Sequence, residues 1–251
     1  MNVLPLNVVG LNKSFGGVHV TRNVNLQLAA GSRHALIGPN GAGKTTLLNL
    51  LTGLLSPASG KIYVFGTEVN RMAPERRVKL GLARTFQINS LFLNMTVAEN
   101  VGLAVSAAAG FDAKPWGRLQ CKPEILDRIS ELLTKVRLVD VAHYRIRDLA
   151  YGYRRLVEIA VALALNPKIL MLDEPAAGVP ARDTELILQI LEELPSDLAV
   201  LLIEHDMNMV FRFASRITVL VDGAVLTEGS VNSIRSDERV HQVYLGKRSH
   251  G

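Results

Sequence analysis

Two rhythms of apolar and polar positions run along this chain. Asn7 to Leu11 and Val18 to Leu28 show partial alternation, are divided by Gly16-Gly17 and closed by Gly31-Ser32, and so read as strands. A short apolar run, Ala35-Leu36-Ile37, reaches Gly38, and Thr45 to Thr52 then takes up helical spacing, with Gly53 as its stop. The pattern there is strand, glycine-rich loop, helix. Thr96-Val97-Ala98-Glu99 has the form of a capping box and predicts a helix running into Ala107-Ala108-Ala109. Turn residues around Gly110 to Pro115 separate it from a helix that begins near Pro123 and puts Ile125, Ile129, Leu132, Leu133 and Val136 on one face. The uniform apolar runs Ile169 to Leu172 and Ala199 to Ile203 read as buried parallel strands, with Asp183 to Leu194 helical between them. One α/β core therefore carries an inserted, mostly helical block over roughly residues 90 to 150. There is no internal repeat and no low-complexity tract.

Composition supports a folded chain. Of 251 residues, 48% are apolar and 20% charged, ordinary globular usage. Cys121 is the single cysteine, which excludes an intramolecular disulfide or a cysteine metal cluster within one chain and fits a reducing cytosol. The opening Met1-Asn2-Val3-Leu4-Pro5 lacks the basic start and apolar run of a signal peptide. Stretches such as Val101 to Phe111 fall short of the ~20 apolar residues that cross a bilayer, so the chain is expected to stay on one side of a membrane. The net charge of +5 is scattered and points to no particular partner.

Gly38-Pro39-Asn40-Gly41-Ala42-Gly43-Lys44-Thr45 matches the phosphate-binding P-loop in full. Glycines let backbone N–H groups converge on phosphate oxygens, Lys44 supplies a compact cation for the β and γ phosphates, and the Thr45 hydroxyl can ligate Mg²⁺. Ile169-Leu170-Met171-Leu172-Asp173-Glu174 adds an apolar strand that ends in two carboxylates. Asp173 can reach the Mg²⁺ shell while Glu174 faces the γ-phosphate and polarises the attacking water.

Further segments follow in the order of the ABC ATPase motifs: Gln87 in Thr85-Phe86-Gln87, Leu149-Ala150-Tyr151-Gly152-Tyr153-Arg154-Arg155 before an apolar helix, Glu174-Pro175, and His205 in Ile203-Glu204-His205-Asp206. The whole chain resembles the ATP-binding subunits of branched-chain amino-acid importers, most of all in Glu174-Pro175-Ala176-Ala177-Gly178, in Leu202 to Met207 and in the ending Tyr244-Leu245-Gly246. The resemblance implies a RecA-like P-loop NTPase core with an antiparallel β subdomain and an inserted helical subdomain. Its parts would be residues 1–90 (core, first part), 91–149 (helical subdomain) and 150–251 (core, second part). Carried over by position, Phe15 resembles the aromatic that stacks on adenine, a buried core Phe being the alternative reading. Asn40, Gly41, Ala42, Gly43, Lys44, Thr45 and Thr46 would cradle ATP. Thr45, Gln87 and Asp173 would hold Mg²⁺. Glu174, His205 and Gln87 would serve hydrolysis, with His205 as the switch histidine at the γ-phosphate. Ala150 and Gly152 would cover the ATP of a second subunit.

The segment at Leu149 departs from the usual Leu-Ser-Gly-Gly-Gln, because Ala150 replaces serine, Tyr151 the first glycine and Tyr153 the glutamine. A helix starting there still offers free N–H groups to a phosphate, but a hydroxyl donor is lost. Ala177-Gly178-Val179-Pro180 likewise lacks the usual acidic end of the D-loop. The resemblance further implies a second ATP-binding subunit (a heterodimer, with a homodimer as alternative), two integral-membrane permeases, indirectly a periplasmic binding protein, and a peripheral place on the cytoplasmic side of the cell membrane. A lipid or lipopolysaccharide exporter ATPase is the alternative within transport. Family members that act on nucleic acid usually carry paired cassettes, coiled coils or zinc modules, whereas this sequence has one P-loop, one cysteine and no sustained heptads, so no nucleic-acid partner is expected. A P-loop kinase is disfavoured by Glu174 and His205 together.

Overall fold

The computed structural model describes residues 3–85, 91–110 and 122–245. Two sheets organise them. The antiparallel sheet has the order β2-β1-β4-β5, built from β1 (Leu6–Phe15), β2 (Val18–Leu28), β4 (Ser59–Val64) and β5 (Thr67–Glu68). The turn between β1 and β2 falls on Gly16-Gly17, where Gly16 takes a φ of 57° that a side chain would resist. The larger sheet has the order β10-β9-β3-β8-β7-β6 and contains β3 (Arg33–Ile37), β6 (Leu82–Arg84), β7 (Ile169–Asp173), β8 (Ala199–Ile203), β9 (Arg216–Val221) and β10 (Ala224–Gly229). Its pairs are parallel except β9 with β10.

The uniform apolar runs of β7 and β8 have a simple cause. Leu170, Leu172, Val200 and Leu202 face one apolar cluster while Ile169, Met171, Leu201 and Ile203 face another, so neither side of these strands meets water. The first cluster holds α3 (Val97–Ala108), α4 (Pro123–Lys135), α5 (Tyr151–Ala164) and α6 (Ala181–Glu192) against the sheet. The second holds α1 (Lys44–Thr52) between the two sheets. A third gathers β9 and the other face of β3 with α7 (Met207–Phe213) and α8 (Val231–Arg235), ahead of α9 (Glu238–Leu245).

The predicted elements are found with small shifts. The first strand runs on to Phe15, α1 starts one residue early at Lys44, and α6 is Ala181–Glu192 where Asp183 to Leu194 is predicted. The capping box forms as written: the Thr96 hydroxyl accepts from the Glu99 N–H at 3.2 Å, and the Glu99 carboxylate accepts from the Thr96 N–H at 2.7 Å. At the far end of α1, Gly53 adopts φ 86°, and the guanidinium of buried Arg77 from α2 (Pro74–Lys79) donates to the carbonyls of Leu50 and Leu51 at 2.8 and 2.7 Å. A cation on those last carbonyls complements the helix dipole, which leaves the opposite, N-terminal end of α1 as the electropositive one.

Candidate active site

The P-loop lies between β3 and α1 and is pressed into place from outside. A Cβ on Gly38 would come within 2.1 Å of the Leu220 carbonyl, and one on Gly43 within 2.4 Å of the Val20 carbonyl, so only glycine fits at either position. Gly43 ends the loop at φ 97° and makes no side-chain cap, leaving the first N–H groups of α1 unengaged by a capping side chain. Lys44, only 7% exposed, curls back over the loop and donates from Nζ to the carbonyls of Gly38 and Pro39 at 2.7 and 3.1 Å. Burial holds its ammonium below the ordinary lysine value, against an upward pull from the carboxylates of Glu174 and Asp173. The cavity that results, about 410 Å³, is lined by Asn40 to Thr46 of the loop and helix, by Val20 and by Glu174.

Asp173 and Glu174 diverge at the tip of β7. The Asp173 carboxylate accepts from Arg84 Nη2 at 2.6 Å, while Arg84 Nη1 donates to Asn49 of α1 at the same distance of 2.6 Å. Arg84 thus bolts the acidic strand end to the helix that follows the P-loop, through largely desolvated, charge-assisted bonds. Glu174 takes a left-handed φ of 49°, unusual for a side-chain-bearing residue, and its N–H donates to the Ile203 carbonyl at 2.9 Å. Its side chain lines the P-loop cavity. His205 Nδ1 lies 3.9 Å from Glu174 Oε1 and 3.8 Å from Glu204 Oε2.

Phe15, at the end of β1, is 47% exposed with Lys13 Nζ 5.2 Å from its ring centroid, which removes the buried-core alternative. Gln87 lies outside the described residues. Ala150 is the N-cap of α5 and makes no side-chain cap bond, so that helix start also keeps free N–H groups. Gly152, however, owes its lack of a side chain to its own chain. A Cβ there would lie 2.7 Å from Asp183 Oδ2, and the glycine lets α5 pack on the start of α6. Tyr151, in place of a glycine, sits beneath Gly178, where an added Cβ would be 3.6 Å from its ring, and accepts from Arg155 at 3.0 Å. Arg155 also pairs with Glu158 at 3.0 Å, whose carboxyl is pushed by burial up to about 7. Sequence reasoning did not single out Arg84, Asn49, Glu158 or Glu204. Only Glu204 left a sign, as a charge set directly after the apolar run of β8.

The P-loop and the paired strand-end carboxylates fall within residues 21–177, which match the ABC transporter family, and His205 lies beyond that span. Across its length the chain is 38% identical to the high-affinity branched-chain amino acid transport ATP-binding protein LivG of Escherichia coli (strain K12), over 96% of this chain and 98% of that protein. The chain belongs to the ABC transporter family. The fold of this ABC ATPase is shared with solved members. A nucleotide-free ATP-binding cassette from an ABC transporter aligns with a TM-score of 0.85 at 27% identity, covering 96% of this chain and 98% of that one. A dimeric cassette bound to ADP and Pi, in a post-hydrolysis state, aligns at 0.76 and 28% identity, covering 90% and 98%. Antiparallel sheet, parallel sheet and helical block together are the ABC cassette, and ATP is the nucleotide that such cassettes bind and hydrolyse. Among the described residues no helix of this ABC ATPase is long and apolar enough to cross a membrane.

Proposed function

We propose that this chain hydrolyses ATP at the P-loop of residues 38–45 and that hydrolysis powers import of branched-chain amino acids, or a related small polar solute, through permease subunits. The observation that carries the chemistry is Glu174 on the wall of the P-loop cavity with His205 3.9 Å from its carboxylate. The solute class rests on the relatives' names, since the match covers 98% of LivG, a high-affinity branched-chain amino acid transport ATP-binding protein.

The residues suit nucleotide and metal. Glycines whose Cβ positions are already taken by Leu220 and Val20 leave a backbone cradle, and Lys44 can exchange its two carbonyl partners for phosphate oxygens. Phe15 offers an exposed ring for the adenine. Thr45 and Asp173, with Gln87, would hold Mg²⁺, which supplies neutralisation of the charge on the β and γ phosphates. In the reaction, a water oxygen attacks the γ-phosphorus as the bond to the ADP oxygen breaks, and Glu174 takes the proton that the water loses. His205 steadies that water and the γ-phosphate. Lys44 stabilises the charge that spreads over the transferred group.

The working unit is a pair of ATPase subunits, each presenting its segment 149–155 to the other's ATP, joined to two permeases and served by a periplasmic binding protein. Residues 91–149 form the helical subdomain between two parts of the nucleotide core, 1–90 and 150–251. The chain acts from the cytoplasmic side of the membrane. A strain lacking this chain tests the reading directly. It should lose uptake of labelled leucine, isoleucine and valine and regain it with the wild-type chain; unaltered uptake of all three would refute the branched-chain assignment, and loss confined to a related small polar solute would put that solute in its place.

A further inference from the structure

Glu204 sits where a carboxylate is costly. It follows the last residue of β8, is 1% exposed, and has no Lys or Arg within ion-pair distance among the described residues. Buried charge of this kind persists only when hydrogen bonds replace the lost water. Here backbone N–H groups replace it: Oε1 accepts from Ala176 at 2.9 Å, and Oε2 accepts from His205 at 3.0 Å and from Asp206 at 3.5 Å. Those donors belong to two separate segments. Ala176 follows Glu174-Pro175, and His205 is the switch histidine.

The backbone of Glu174 is consequently fastened on both sides to the end of β8. Its own N–H goes to the Ile203 carbonyl at 2.9 Å, and the N–H two residues later goes to Glu204. Left-handed backbone at a non-glycine residue persists when its surroundings hold it, and these two bonds bracket the φ of 49° at Glu174. The same carboxylate fixes the backbone that carries His205, whose Nδ1 is nearly equidistant from Glu204 and Glu174 at 3.8 and 3.9 Å.

The geometry points to Glu204 as a positioning residue that sets the general base Glu174 and the switch His205 relative to each other, a role that rests on the reading of those two residues given above. Two acceptor oxygens are required for it. A glutamine has one acceptor oxygen, so in Glu204→Gln an amide NH₂ must face the N–H of either Ala176 or His205.

The test compares wild type, Glu204→Gln and Glu174→Gln in the assembled transporter, with the partner ATPase's own general base replaced so that turnover reports this chain's site. Glu204→Gln should lower kcat roughly 10- to 100-fold, as misplacement of a reacting group does, while the affinity for a fluorescent ATP analogue stays that of the wild type. A lower melting temperature with unchanged kcat would mean a merely structural role and overturn the inference. Wild-type turnover in Glu174→Gln would instead bring down the reading beneath it. Should Glu204→Gln fail to fold, hydrogen exchange in the wild-type chain decides: the amides of Ala176 and His205 should be protected, and exchange at the rate of free loop amides would overturn the proposal.

Discussion

Lys44 shows how one side chain carries the site's readiness. Buried beside carbonyls, it has its charge already aimed at the loop and already stripped of much of its water, so phosphate oxygens of a bound nucleotide would need only to displace two neutral acceptors. Lys44→Ala should therefore reduce ATP turnover of the assembled transporter by at least ~100-fold, measured as phosphate release; turnover near the wild-type rate would remove the P-loop assignment. The sequence displays this residue because the P-loop acts through its own contiguous backbone: each glycine and the lysine serve within eight positions. Arg84 and Glu204 are silent for the opposite reason. Arg84 acquires its meaning from Asp173, 89 positions away, and Glu204 from Ala176, 28 positions away, and single-residue chemistry does not show such distances. Gly152 illustrates a subtler limit. A glycine at a helix start signals close approach, but the neighbour that requires it is Asp183 of the same chain.

The central strands β7 and β8 are legible because both faces are buried and every position up to the terminal Asp173 of β7 is apolar. Shorter or one-sided strands such as β4, β6 and β10 carry mixed residues and gain their strand character from pairing, not from periodicity. The pairing of β3 with β9 also buries a polar chain that no pattern announces. His34 Nε2 meets the Thr218 hydroxyl at 2.7 Å, and that hydroxyl donates to Glu228 at 2.8 Å, so His34 must be the donor. Burial pushes His34 down to about 4, against an upward pull from Glu228 and with a further downward push from Arg216. The sign follows: below the ordinary value of 6.5 the unfolded chain takes a proton that the folded chain refuses, so stability is full above that pH and is lost as pH falls toward 4. The loss should reach up to about 3 kcal/mol, read from urea unfolding at a series of pH values. His34→Gln keeps a donor for Thr218 and should flatten that segment of the curve. An unchanged slope would show that other groups produce it.

At the scale of the whole molecule, the helical block and the nucleotide core are coupled by a shared apolar cluster that runs from α3 and α4 through α5 to β7 and β8. The block therefore packs directly against the strand that carries Asp173. The segment 149–155 lies at the start of α5, where it would meet a second subunit, and there Ala150 offers no hydroxyl. One missing bond to a charged phosphate is worth roughly 1.5 to 3 kcal/mol, or one to two powers of ten in rate if it acts in the transition state. The partner's site should then be the slower one. In a reconstituted heterodimer, Glu174→Gln should remove more of the total turnover than the matching change in the partner, and equal losses would show that the free N–H groups of α5 compensate. Each of these expectations requires that the cavity beside Lys44 bind ATP and that Glu174 activate water there. The decisive measurement is on Glu174→Gln with ATP and Mg²⁺, following nucleotide binding, phosphate release and subunit association by size-exclusion chromatography. The prediction is ATP bound as in the wild type, hydrolysis slowed about 100-fold or more, and accumulation of the ATP-closed dimer; phosphate release at the wild-type rate would contradict it.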